Sequence, residues 1–341
     1  MIRAVIGDTW RQSKQQVVFI VMLVVMLLAL VAGIALPRPV VTADGEKHFG
    51  TILSDKPFDY FAQQWTNEYA KTLLKGNEAS RNAVRRDVFT DKTLTPAERN
   101  ARIQVLQREQ RIARDEAVSK ATDVPEYRRG VEYYIHAVVG GMFKFTMLLF
   151  IAACAGYFPA MLGNGAVDIV LSKPLSRLQI YSGKYLGGVV LYTAAIAAFC
   201  VLLFVGIGMR TGIYHVRILY SIPLLAFTAM LLYAILALIG TASRSATMAL
   251  VTGYVFYVVV DSLINALMNF QPMLQQMGWE SVASVVSVLR HVLPNFGMLN
   301  DMALASLLNM PVFELAPFAV ALAWLFGCLG LGYWIFSRRD Y

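Results

Sequence analysis

Six apolar runs, each long enough to cross a bilayer, decide which solvent this chain can fold in. A membrane helix needs roughly 20 residues to traverse about 30 Å of hydrocarbon at 1.5 Å per residue. Runs of that kind are predicted at residues 17–36, 134–160, 184–209, 217–240, 245–269 and 313–336. Hydrophobic residues make up 57% of the chain and charged residues 15%, whereas charged side chains approach about a quarter of an ordinary soluble domain. An ordinary soluble globule is excluded, because so much apolar surface needs lipid. The expected class is an all-α membrane protein with six transmembrane helices and one large segment, 37–133, between the first two.

Orientation follows from the cations in the short connections, which concentrate on the cytoplasmic side. With the N-terminus inside, that face receives Arg3, Arg11, Lys14, Lys173, Arg177, Lys184, Arg244, Arg338 and Arg339, while the other receives Arg210, Arg217 and Arg290. Both termini are therefore expected in the cytoplasm, with 37–133 extracytoplasmic in a multi-pass protein of the inner membrane. The long segment is left out of the count because large translocated domains do not obey the rule. The first apolar run exceeds the roughly 7–15-residue centre of a cleaved secretory signal, so it is expected to stay as an anchor. Within residues 1–16, Ile2, Val5, Ile6 and Trp10 share one helical side, with Arg3, Arg11 and Lys14 mostly elsewhere, which predicts an amphipathic interfacial helix.

The 37–133 segment is expected to be mainly helical. Thr95, Pro96 and Glu98 form a helix start with a capping box and proline in the first turn. An earlier helix near 58–76 places Phe58, Phe61, Trp65, Tyr69 and Leu73 on one stripe, and the expected partners of that stripe are Ile103, Leu106 and Ile112. Charges of both signs are nearly balanced here, which fits solvated helix surfaces and not a nucleic-acid or other polyanion-binding face. Between spans five and six, segment 270–312 holds two apolar pieces, 281–293 and 299–310, parted by Pro294 and Asn295 and too short to span. They read as re-entrant or interfacial outer helices.

No catalytic chemistry is legible. The chain lacks a GxxxxGK[ST] nucleotide loop and any HExxH, CxxC or GxSxG motif, and His48, His136, His215 and His291 are dispersed. Cys154, Cys200 and Cys328 fall inside predicted spans as small apolar side chains. Met268, Met273, Met277, Met298, Met302 and Met310, near His291, are soft enough for Cu(I), but they form no compact motif and read as packing residues; no metal site is expected. Lys144 and Asp261 are the candidate intramembrane polar sites, since an ionised side chain near mid-bilayer costs at least about 2.5–3.5 kcal/mol and seeks a partner or water. They pair or line a polar part of a substrate path; alternatively Lys144 snorkels or faces a second copy and Asp261 serves helix packing near the outer surface.

The stretch GNGAVDIVLSKPLSRLQIYSGKYLG, residues 163–187, is a polar, basic connector between spans two and three. Gly163 and Gly165 break the preceding helix, Pro174 ends a short helical turn, and Ser176 can cap the next helix. The stretch Asp168 through Gly187, with Pro174, Ser176, Arg177, Gly183 and Lys184 matching best, resembles the connector of the type-2 ATP-binding-cassette permeases, and the resemblance implies Asp168, Leu171, Pro174, Ser176, Arg177 and Lys184 as its ATPase-coupling residues. The amphipathic start, the six spans, the short helices before span six and the terminal Phe336 to Tyr341 extend the resemblance over almost the whole chain. The large segment after span one is similar to that of the NosY-like group. The resemblance implies a non-catalytic permease subunit, with 163–183 as the coupling segment that docks on a separate cytoplasmic ATPase. ATP and Mg would be bound by that ATPase and no cofactor by this chain. It further implies a second permease copy, most simply as a homodimer, and export of a solute. Two other outcomes stay open: relay of ATP-driven motion to an extracytoplasmic protein partner, and an ATPase-independent carrier or scaffold.

Overall fold

The computed structural model describes residues 17–42, 44–53, 56–75, 95–162, 176–276, 292–308 and 315–338, with isolated residues between 279 and 289. The predicted amphipathic start (1–16), the coupling residues Asp168, Leu171 and Pro174, and most of the 281–293 piece lie outside them.

The elements in chain order are α1 (Val17–Ala35), β1 (Pro37–Val41), β2 (Lys47–Thr51), α2 (Tyr60–Lys75), α3 (Pro96–Thr122), α4 (Glu126–Cys154) and α5 (Tyr157–Met161). There follow α6 (Arg177–Thr211), α7 (Arg217–Ser243), α8 (Ala246–Tyr254), a π-helical stretch at Val255–Val260, α9 (Asp261–Gln276), α10 (Phe296–Leu307) and α11 (Leu315–Arg338). Six helices among the described residues are long and apolar enough to cross a membrane: Val17–Ala35, Glu126–Met161, Arg177–Thr211, Arg217–Ser243, Ala246–Leu267 and Leu315–Arg338. These are the six predicted runs. The second and third begin earlier than their apolar stretches, at Glu126 and Arg177, because each starts with a polar turn that a hydropathy window discards.

Helix α7 is the axis of the bundle. Every residue from Leu231 to Ala237 is buried, and the helix packs on α6, α8, α10 and α11; apolar character all round its circumference is what a surrounded helix requires. Span one leans on α4 and α6, where Gly33 admits Leu203 and Val138 and its carbonyl accepts the Tyr134 hydroxyl at 3.0 Å.

The segment between spans one and two differs from expectation in two ways. Residues 37–51 form an antiparallel hairpin, with Val41 opposite Lys47 and Pro37 opposite Thr51. Its turn has Gly45 at φ 78°, a conformation glycine adopts without strain. The aromatic stripe of α2, moreover, does not bury itself mainly on Ile103, Leu106 and Ile112; Ile112 is 59% exposed. Phe61 packs instead on Phe49, Tyr133 and Tyr134, and Trp65 stacks on Tyr69 at 5.0 Å beside Ala121 and Leu308. The first two turns of α4 offer a larger aromatic surface than the charge-dense α3. The predicted capping box of α3 is present: Thr95 Oγ1 accepts from Glu98 N, and the Glu98 carboxylate accepts from Thr95 N at 2.9 Å.

Candidate functional site

At one end of the bundle the chain returns from the connector into α6. Ser176 is the N-cap, accepting from Gln179 N at 3.2 Å, while the Gln179 side chain accepts from Ser176 N at 3.1 Å. That reciprocal pair satisfies two of the helix's orphan donors. Arg177 Nη1 donates to the carbonyl of Ser337 at 2.6 Å, placing a cation on the C-terminal turn of α11, where carbonyls are otherwise unsatisfied. One turn on, Tyr181 packs on Phe158, Tyr333 and Phe336.

Lys184 is 5% exposed, with Nζ 5.7 Å from the centre of the Tyr157 ring. Tyr185 stacks on Tyr233 at 5.3 Å and donates to the Met230 carbonyl at 2.8 Å. Gly188 sits against the Tyr233 ring so closely that a Cβ there would fall 2.6 Å from it. The first three turns of α6 are thereby keyed into α5, α7 and α11 by one aromatic cluster. Lys184, read from sequence as part of a docking surface, faces this interior, because the short Gly-Lys-Tyr-Leu-Gly-Gly run lets α6 approach its neighbours.

The opposite end carries a buried polar hub. Glu132, on α4 and 5% exposed, accepts from Trp65 Nε1 at 3.1 Å and from Arg128 Nε at 2.9 Å. Its Oε1 lies 3.6 Å from His215 Nδ1. His215 Nε2 donates to the Leu307 carbonyl at 2.6 Å. One carboxylate thus joins α2 to α4, and beside it the His215 loop is bonded to the end of α10. Around it, Tyr127 donates to the Thr211 carbonyl at 3.1 Å, Arg210 to that of Pro37 at 2.6 Å, and Arg129 to Thr66 at 2.6 Å.

Nearby, His48 Nδ1 lies 3.1 Å from Glu126 Oε1. The Asp59 carboxyl shares a hydrogen bond with Glu126; burial first, then that Asp59–Glu126 bond and the Glu126 charge, push it above the usual carboxylate range, with the His48 charge opposing.

Residues 40–337 match the family described as ABC-2 family transporter protein. The chain belongs to that family. No curated protein matches it besides. ABC-2 permeases are membrane transport subunits, generally non-catalytic, that work in lipid with a partner ATPase.

Within this permease the two intramembrane candidates are held differently. Lys144 sits on the exposed face of α4 beside Phe145. Asp261 follows the π-helical stretch of span five and accepts from Gly297 N at 2.7 Å and Asn265 Nδ2 at 3.2 Å. Asn265 in turn accepts from Asn295, the N-cap of α10, at 3.2 Å. Asp261 therefore braces the start of α10. Of the methionines near His291, Met302 is buried and Met298 half-buried; the side chains of the others lie outside the described residues.

Glu132, His215 and the tyrosines around Lys184 were not singled out from the sequence. The available signal was an acid one turn after the Arg128-Arg129 pair and just before an apolar run, a position equally common at a wetted helix start.

Burial holds the His215 imidazole below its ordinary pKa of 6.5, helped by Arg217 and Arg128 and opposed by Glu132 and the Leu307 carbonyl. Below that pH the unfolded chain takes up a proton that the folded permease resists, so stability falls as pH drops through 6.5 toward the folded value. The melting temperature of purified protein should decline between pH 7.5 and pH 5.5, a window chosen about the ordinary histidine pKa of about 6.5. In His215→Gln, which keeps a donor for Leu307, that decline should be visibly shallower; an unchanged slope would contradict the assignment.

Proposed function

We propose that this permease is one of two copies in an ATP-driven exporter, with a separate cytoplasmic ATPase moving the 163–183 connector and the connector shifting the bundle. The observation that carries this reading is the rooting of the connector's exit: Ser176 caps α6, Arg177 ties it to α11, and Tyr181, Lys184 and Tyr185 lock it to α5, α7 and α11. A displacement applied there cannot be absorbed by one side chain, because packed cores are bistable and not continuously deformable. ATP and Mg are then the partner's ligands, and Asp168, Leu171 and Pro174 supply the docking face. The cation bias of the short connections supports both termini inside and the 37–133 domain outside in this reading, and the length of that domain supports a NosY-like subtype.

The test is co-expression with the ATPase subunit. Deleting 168–176 should leave the permease in the membrane yet abolish recovery of the ATPase with it and the permease-dependent part of ATP hydrolysis. Equal recovery by the deletion and the parent chain would refute the coupling role.

A second reading, relay of motion to an extracytoplasmic partner without solute passage, is favoured by the Glu132 hub, where Glu132 ties α2 of the inter-span domain to span two and the adjacent His215 is bonded to the end of α10. ATP-dependent solute movement into sealed inverted vesicles separates the two: its presence supports export, and its absence with ATPase coupling intact supports relay.

A further inference from the structure

We propose that His48, Asp59 and Glu126 form a binding site for a divalent transition metal, with Zn(II) as its natural class of occupant. The three come from β2, the residue preceding α2, and the first turn of α4. They are far apart in sequence, yet their ligand atoms all lie within 4.8 Å of one another. His48 Nδ1 and Glu126 Oε1 are 3.1 Å apart, close to the roughly 3.3 Å edge of a tetrahedron whose metal–ligand bonds are about 2.0–2.1 Å. Asp59, the most exposed of the three, has the freest side chain and needs only to swing inward.

The backbones that carry the ligands are held by a shared apolar plug. Phe49, next to His48, is buried against Phe61 and Tyr134. Its carbonyl accepts from Phe58 N at 2.7 Å, which ties the chain leading to Asp59 to the strand carrying His48. Its side chain also lies on Gly130, one turn after Glu126, where a Cβ would fall 2.6 Å away. A preorganised backbone of this kind is what a metal site needs from its support.

The donor set selects the ion. Two carboxylates neutralise a divalent charge, and an imidazole nitrogen favours first-row transition metals over Mg(II) and Ca(II), which prefer all-oxygen shells. Three protein ligands leave a position for water, as in open zinc sites. Bound there, the ion would clamp the hairpin and the start of α2 to the head of span two. The site stands on this geometry independently of the transport reading.

The experiment uses the full-length protein in nanodiscs, with no polyhistidine tag, stripped by chelator and then titrated with zinc chloride alone. One retained zinc per chain and a raised melting temperature are expected. His48→Ala, Asp59→Asn and Glu126→Gln should each lose the retained zinc and the thermal shift. Asp59→Asn is nearly isosteric at an exposed position, so it keeps a folded variant in the series. Cobalt(II) added to the parent chain should give visible absorption bands that His48→Ala alters. No zinc retained by the parent, equal retention by Asp59→Asn, or an equal thermal shift from calcium chloride would each overturn the site.

Discussion

Glu132→Ala is expected to cost the permease about 3 kcal/mol of stability, because the substitution strands the buried Trp65 donor and opens a void beside it. Trp65 Nε1 loses its acceptor, and an unsatisfied buried N–H alone costs about 1–3 kcal/mol. The rest comes from the lost charge-assisted bond to Arg128 and the void left between α2, α4 and the His215 loop. Glu132→Gln keeps an acceptor for Trp65 and should lose about half as much. Arg128→Ala should lose less than about 1 kcal/mol, since an exposed partner of an ion pair contributes little; its side chain is 59% exposed. Thermal melting in nanodiscs reads the order, with Trp65 fluorescence reporting the local change. Arg128→Ala as damaging as Glu132→Ala would mean that the pair, not the buried acceptor, holds the hub together.

Gly188→Leu should be at least as damaging. Even a Cβ at this position meets Tyr233 Cε1 at 2.6 Å and its hydroxyl oxygen at 2.8 Å, and the ring cannot retreat. It is fully buried, stacked on Tyr185 and edged by Phe150, Tyr157 and Phe158. Overpacking a core of this kind costs about 1–3 kcal/mol for small insertions and more for a full isobutyl group. Gly188→Ala should fall in that lower range despite the better helix propensity of alanine. Gly141→Ala is the contrast: a Cβ there meets nothing within 4 Å, so the exchange should be neutral or gain up to about 1 kcal/mol from helix propensity. Similar losses at both glycines would show that helix flexibility, and not the Tyr233 contact, sets their tolerance. Because Gly188 lies in the same aromatic cluster as Lys184 and Tyr185, the leucine variant should also depress coupling to the ATPase when measured at a temperature where it remains folded.

The caps and spans were readable in advance because they depend on residues close together in the chain. Thr95 and Glu98 close their box within one turn, as do Ser176 and Gln179. The hairpin went unread, although Asp44-Gly45 between two short segments is a turn signal. The α2 stripe packs on α3 at Ala121 but shares its burial with α4, and that division has a different origin. Phe61 and Trp65 require an apolar surface, but periodicity names only the face to be buried, not what covers it. Tyr133 and Tyr134, some 70 residues away in sequence, fell at the boundary between the inter-span segment and the second span, and only the long polar entry of α4 brings them to Phe61.

Lys184 and Asp261 show the same limit for charged groups. From sequence each is a cation or an anion at a given depth; in the fold one lies under the Tyr157 ring and the other holds the start of α10. Whether a charge is exposed, buried under a ring or met by backbone donors depends on which helices meet. By itself the sequence determined the solvent of this protein, its six spans, their caps and its family, because hydropathy, local capping and motif spacing act over a few turns of one chain. The tertiary structure alone decided the Glu132 hub, the aromatic seat of the connector's exit and the meeting of His48, Asp59 and Glu126, because each joins elements tens of residues apart. Their energies come from burial and hydrogen-bond partners that do not exist until those elements pack.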